Sequence, residues 1–140
     1  MISVPLKMIS LDEDGVHPLL DIVIFGKPYT VVLDTGASKT AFDQDVLFEA
    51  NEYVTINVSD RLSTGLGTNS MASATAIIHY MAIGKLKIPE FEAAVLDLSA
   101  INNAYAQMGH PRILGVLGGD ILMKYKAVID YGKSEVSFED

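Results

Sequence analysis

Apolar positions along the chain fall in short runs rich in Val and Ile, cut by Gly, Asp-Gly or Lys-Pro, which is the pattern of strands joined by tight turns. An all-β fold with one to three short helices is the expectation. Ile2–Ile9 and Leu19–Phe25 read as a first strand pair around Asp14-Gly15, and Gly26-Lys27-Pro28 turns the chain into Tyr29–Leu33. Asp43–Ala50 places Val46 and Leu47 behind a capping Asp43, so a short helix is expected there. Tyr53–Val58 and Ala72–Ile83 flank a glycine-bearing stretch, Ser63 to Asn69, that suits the exposed tip of a long hairpin. Phe91–Leu98 is a further strand and Ala100–Met108 a short helix. Ile113–Leu117 is a strand stopped by Gly118-Gly119, and Asp120–Lys126 a last helix capped by Asp120. Ala127–Tyr131 and Glu135–Phe138 close the chain as a hairpin around Gly132-Lys133.

Length and composition narrow this picture. The 140 residues make one domain, 1–140, and 49% hydrophobic residues suffice for a core. Ten Lys and Arg against eighteen Asp and Glu leave a net charge of −8, which repels phosphate backbones and anionic lipid heads; neither nucleic acid nor a membrane is an expected partner. With no Cys there is no disulfide, thiolate nucleophile or Cys-held metal. His17, His79 and His110 are scattered, so no metal site and no cofactor are expected. No apolar run approaches the roughly 20 residues that span a bilayer, and Met1–Lys7 lacks the order of a signal peptide, so the default location is cytoplasmic.

The chemistry is concentrated in Val31-Val32-Leu33-Asp34-Thr35-Gly36-Ala37-Ser38, where a carboxylate directly follows a strand too apolar to be a solvated edge. An ionised carboxylate in such a place must be hydrogen-bonded or must share a proton. Gly36 allows a sharp turn that brings its own N–H toward the carboxylate, and Thr35 supplies a hydroxyl able to bond across an interface. Read alone, Asp-Thr-Gly is as well explained by an Asp closing a turn. Downstream lies Ile113-Leu114-Gly115-Val116-Leu117-Gly118-Gly119-Asp120, two hydrophobics followed by Gly and then a short helix.

With both motifs in this order, the sequence resembles the retropepsin-like aspartic protease family, including its single-domain bacterial members. The resemblance covers nearly the whole chain, with Leu98–Arg112 as the insertion. It implies an acid protease fold, a closed barrel-like domain with a flap hairpin, and a homodimer, because one chain carries one Asp-Thr-Gly where the chemistry needs two. It further implies Asp34, Thr35 and Gly36 as the catalytic set. Thr35 would bond across the dimer and Gly36 would bond an extended peptide substrate. Val32, Ala37, Ser38 and Val116 would contact that substrate from below, and Gly65, Leu66 and Gly67 would close over it as the flap.

Many viral members carry an Asp where this chain has Ser38 and an Arg where it has Gly119, so the ion pair between those places is missing here. Dimer stability is then expected from the terminal strands Ile2–Leu6 and Glu135–Phe138. Asp97, in Ala94-Val95-Leu96-Asp97, lacks a following Thr-Gly and reads as a strand-end Asp bonding local backbone. Two other functions compete: a non-catalytic module that dimerises or binds an extended peptide, and a phosphate-binding loop at Asp34-Thr35-Gly36-Ala37-Ser38-Lys39. Two desolvated carboxyls serve no purpose in the first, and the chain is too short for the second.

Overall fold

The computed structural model describes residues 1–11, 15–62 and 72–140. Its thirteen described strands fall into two sheets. Strands β1 (Ile2–Pro5) and β2 (Lys7–Ser10) are separated by the buried Leu6, where a single strand had been expected. They part company there. β2 pairs antiparallel with β3 (Val16–Ile24), and β3 pairs with β4 (Lys27–Leu33) across the Phe25-Gly26 turn, where both residues have positive φ. β5 (Ala41–Asp43) leads into helix α1 (Gln44–Ala50), whose first turn is closed by Asp43 Oδ2 accepting from Val46 N at 3.0 Å, as the cap reading requires.

Strands β6 (Ile56–Leu62) and β7 (Ala72–Ile78) form the hairpin flanking residues 63–71. The expected run Ala72–Ile83 is divided at His79-Tyr80 into β7 and β8 (Met81–Ile83), and β8 folds back on β9 (Leu86–Ile88) at Gly84, whose φ is +58°. Next come β10 (Phe91–Leu96), helix α2 (Ser99–Gln107), β11 (Gly115–Leu117), helix α3 (Gly119–Lys124), β12 (Val128–Asp130) and β13 (Glu135–Phe138).

The larger sheet runs β6-β7-β10-β5-β11-β4-β3-β8-β9, with β2 added to β3. This path does not return on itself, so the expected closed barrel is corrected to an open sheet. The smaller sheet runs β1-β13-β12, with Ile2 opposite Phe138 and Val4 opposite Val136. The terminal strands expected to hold a dimer are thus paired to each other within one chain, and β13 is occupied on both sides.

Alternation along β4 explains where the core lies. Val31 and Leu33 are buried in the main cluster with Phe42, Leu47, Ile78, Met81, Leu114 and Phe138, while Val32 points the other way into a second cluster of Ile9, Leu19, Tyr105 and Ile113. Burying each of the large side chains contributes roughly 1.5–3 kcal/mol. The second cluster is what seats α2: Tyr105 is 2% exposed, its hydroxyl lies 2.7 Å from His17 Nδ1, and Asn102 takes both the N–H and the C=O of Ile113.

Candidate active site

The most constrained region of the fold is the crossing of β4, β5 and β11. β4 and β5 are consecutive in the chain yet not adjacent, because β11 lies between them, parallel to β4 and antiparallel to β5. Residues 34–40, which connect β4 to β5, must therefore pass around the end of β11. Two glycines permit this. A Cβ on Gly115 would stand 2.0 Å from Ala41 O, and one on Gly118 would stand 2.7 Å from the carbonyl carbon of Lys39 and 2.8 Å from Ala37 O. Backbone cannot yield at such distances, so both positions require glycine.

Asp34 sits where the loop leaves the sheet. Its N–H donates to Leu117 O at 3.0 Å, which continues the β4–β11 ladder by one residue and fixes the carboxylate beside that strand end. Gly36 N donates to Asp34 Oδ1 at 3.0 Å, and Ala37 N donates to Asp34 O at 3.2 Å. The turn expected from Asp34-Thr35-Gly36 is present, with Asp34 and Ala37 half-buried and Thr35, Gly36 and Ser38 exposed. A Cβ on Gly36 would lie 3.3 Å from Asp34 Oδ1 and crowd the group that its N–H serves.

Beneath the turn, α3 holds the rest of the loop. Gly119 N donates to Ala37 O at 2.7 Å and Asp120 N to Ser38 O at 3.1 Å. Asp120 is not the helix cap that sequence suggests, since Gly118 occupies the cap position. Its Oδ1 instead accepts from Thr40 N at 2.9 Å and Thr40 Oγ1 at 2.8 Å, besides Ile121 N at 2.9 Å. The fully buried Thr40 hydroxyl in turn accepts from Gly118 N at 3.0 Å. The Thr40–Asp120 link was missed by sequence reading, for no spacing rule connects residues 80 apart. Gly115 was within reach, because a glycine inside an apolar strand marks a close backbone approach.

Val32 and Val116 are register partners on β4 and β11, both half-buried, two residues before Asp34 and Gly118 respectively. They share a strand face by alternation, which brings together the two valines that the family resemblance assigns to substrate contact. Gly65, Leu66 and Gly67 lie outside the described residues. Asp97 bonds Ser99 N at 3.0 Å, and the Ser99 hydroxyl and N–H together hold its carboxyl below the usual Asp range. It is spent locally.

Several other ionisable groups also have partners. His110 Nε2 lies 2.8 Å from Ser10 O, and His79 faces Glu90 at 3.5 Å. Arg112 pairs with Glu49, and the hydrogen bond between them lowers the Glu49 carboxyl and raises the guanidinium. Among the described residues no three His, Asp or Glu side chains gather as a metal site would require, and no helix is long and apolar enough to cross a membrane.

A glycine-closed Asp turn at the end of two parallel strands defines a class, and comparison with known proteins agrees. Residues 20–121 match the aspartyl protease family, and the chain belongs to it. No curated protein matches the chain. Among solved structures, a retropepsin-like aspartic protease from Rickettsia conorii is similar with a TM-score of 0.56 and 18% identity, over 96% of this chain and 86% of its own. The retroviral protease-like domain of Ddi1 from Leishmania major is similar with a TM-score of 0.56 and 13% identity, over 87% of each chain. EIAV protease, complexed with the inhibitor HBY-793, is similar with a TM-score of 0.53 and 19% identity, over 83% of this chain and 93% of its own. The fold is that of the retropepsin-like aspartic proteases.

Proposed function

We propose that the chain is an aspartic endopeptidase that works as a homodimer, with Asp34 of each copy forming the catalytic pair. The observation that carries this reading is the Asp34 turn itself, a half-buried carboxylate held by Gly36 N–H on a loop pinned to β11 and α3. One such loop supplies one carboxyl. Asp120 and Asp97 each accept from other donors, which supports a second copy as the source of the second carboxyl.

Two Asp34 carboxyls at contact distance share one proton, since two like charges that close disfavour each other. The ionised member takes a proton from a water molecule, whose oxygen attacks the peptide carbonyl carbon. The protonated member donates to the carbonyl oxygen as charge develops there, giving a neutral gem-diol. Collapse returns that hydroxyl's proton to a carboxylate, the amide nitrogen receives a proton from the pair, and the C–N bond breaks. No covalent enzyme intermediate forms. Thr35 would bond its counterpart across the two-fold axis and keep the loops level, while Gly36, Ala37 and Ser38 would present backbone to an extended substrate. Val32 and Val116 would line its side-chain pockets, and Gly65, Leu66 and Gly67 would close over it.

Asp34→Asn tests the reading. The amide keeps the size and can still accept from Gly36 N, so the fold and the dimer should persist while cleavage of a peptide library disappears, because an amide cannot serve as base. Mixed dimers holding one wild-type copy should also be inactive. Turnover above about one percent of wild type in purified Asp34→Asn would refute a shared carboxyl pair.

A further inference from the structure

We infer that Tyr105, on a helix outside the Asp34 loop, is a positioning residue that sets the depth of the apolar pocket beginning at Val32 and Val116, and so selects peptides with an aliphatic rather than an aromatic side chain there. The inference rests on the protease reading proposed above and adds what bounds the pocket. Leu19 on β3, Val32 on β4, Val116 on β11 and Ala41 on β5 stand in one row across the sheet, each the register partner of the next. Direct cross-strand partners share a face, so all four side chains lie on the same side. Leu19 is 1% exposed and Ala41 4%, while Val32 and Val116 between them are half-buried. The row is closed at both ends and open in the middle, and the opening lies two residues before Asp34 on β4.

The Leu19 end is closed by α2. Leu19, Tyr105, Ile9 and Ile113 form one buried cluster, and Val32 packs against it. Within α2 only Tyr105 is buried, so the helix meets the sheet through a single large side chain. Its ring is held from several directions. The hydroxyl lies 2.7 Å from His17 Nδ1, His110 just beyond the helix meets the ring edge to face and places Nε2 2.8 Å from Ser10 O, and Asn102 one turn earlier binds the backbone of Ile113 through both ends of its amide. Ile113 in turn leads into β11, which carries Val116. One helix therefore bears on both strands that supply the half-buried valines. While the Tyr105 ring is in place, the open part of the row ends at Val32, which leaves room for a side chain of about valine or leucine size. A smaller residue at 105 withdraws the cover from Leu19 and lengthens the pocket toward β3.

Cleavage of a peptide library by the full chain tests this. Each position beside the cleaved bond is varied through Val, Leu, Met, Phe and Trp, and the readout is the ratio of kcat/KM for the aromatic peptides to that for the aliphatic ones. Wild type should favour the aliphatic side chains at one position. Tyr105→Ala should raise the ratio there by about tenfold, the scale on which an apolar pocket discriminates by size. Tyr105→Leu should move it less in the same direction, and Tyr105→Phe, which keeps the ring, should leave it unchanged. Val136→Ala, in the other buried cluster, should lower stability without moving the ratio. If Tyr105→Ala does not fold, Tyr105→Leu decides. Wild type that favours aromatic side chains at every position, a folded Tyr105→Leu with the wild-type ratio, or a Val136→Ala that moves the ratio as far, each overturns the inference. Failure of the protease reading looks different: wild type would then cleave no peptide at all, whereas an unchanged ratio in an active variant removes only the part played by Tyr105.

Discussion

Thr40 has no access to solvent, and its hydroxyl donates to Asp120 while accepting from Gly118 N. Thr40→Val keeps the shape but leaves a buried N–H without an acceptor and removes one of the donors on Asp120, a loss of about 1–3 kcal/mol by urea denaturation. Thr40→Ser should recover most of it. Because the same bonds hold residues 37–40 in place, peptide cleavage by Thr40→Val should fall further than the stability change accounts for. Gly115→Ala is the harsher change. Its methyl would overlap Ala41 O in the middle of the sheet, and separating β11 from β5 should cost about 3 kcal/mol or be incompatible with folding. Wild-type stability in Gly115→Ala would contradict the close approach.

At the scale of elements, α2 is held to the sheet by few contacts, and Tyr105 dominates them. Burial raises its phenol above the ordinary value, so the folded state binds that proton more tightly than the unfolded chain does. The associated stability is complete below the unfolded value of about 10 and fades as pH rises through the folded value. Tyr105→Phe should therefore be less stable than wild type at neutral pH, by about 1 kcal/mol for the lost His17 bond, and should lose less on going to pH 11. Thermal unfolding of both proteins across that range measures the difference.

Strands and helices of this size were largely legible, because their signals are local: the Asp43 cap, the Gly26 turn and the Gly132 hairpin all stand in the sequence itself. The Asp34 turn was legible for the same reason. What escaped was pairing at a distance. Nothing in Ile2–Leu6 says that its partner is β13 of the same chain, and nothing in Asp120 distinguishes a helix cap from a carboxylate aimed at Thr40. The break at Leu6 was hidden because a residue turned into the core has the same apolar character as one within a strand.

For the whole molecule, the proposed dimer ties activity to concentration. Specific activity should decline on dilution through the dissociation constant, and a dilution series followed by both sedimentation and cleavage should show the two declining together. Equal specific activity in samples that sediment as monomer would remove the need for a second copy. The interposition of β11 between β4 and β5 also has a bearing on synthesis. A nascent chain that has emerged only as far as β10 possesses both outer neighbours of the Asp34 loop but not the strand that separates them, and it lacks α3, on which the loop rests. Pairings of such long sequence separation form late. The carboxylate therefore acquires its setting only once β11 and α3 have been made, so under the proposed function a nascent chain holds no competent carboxyl pair to turn on its unfinished neighbours at the ribosome.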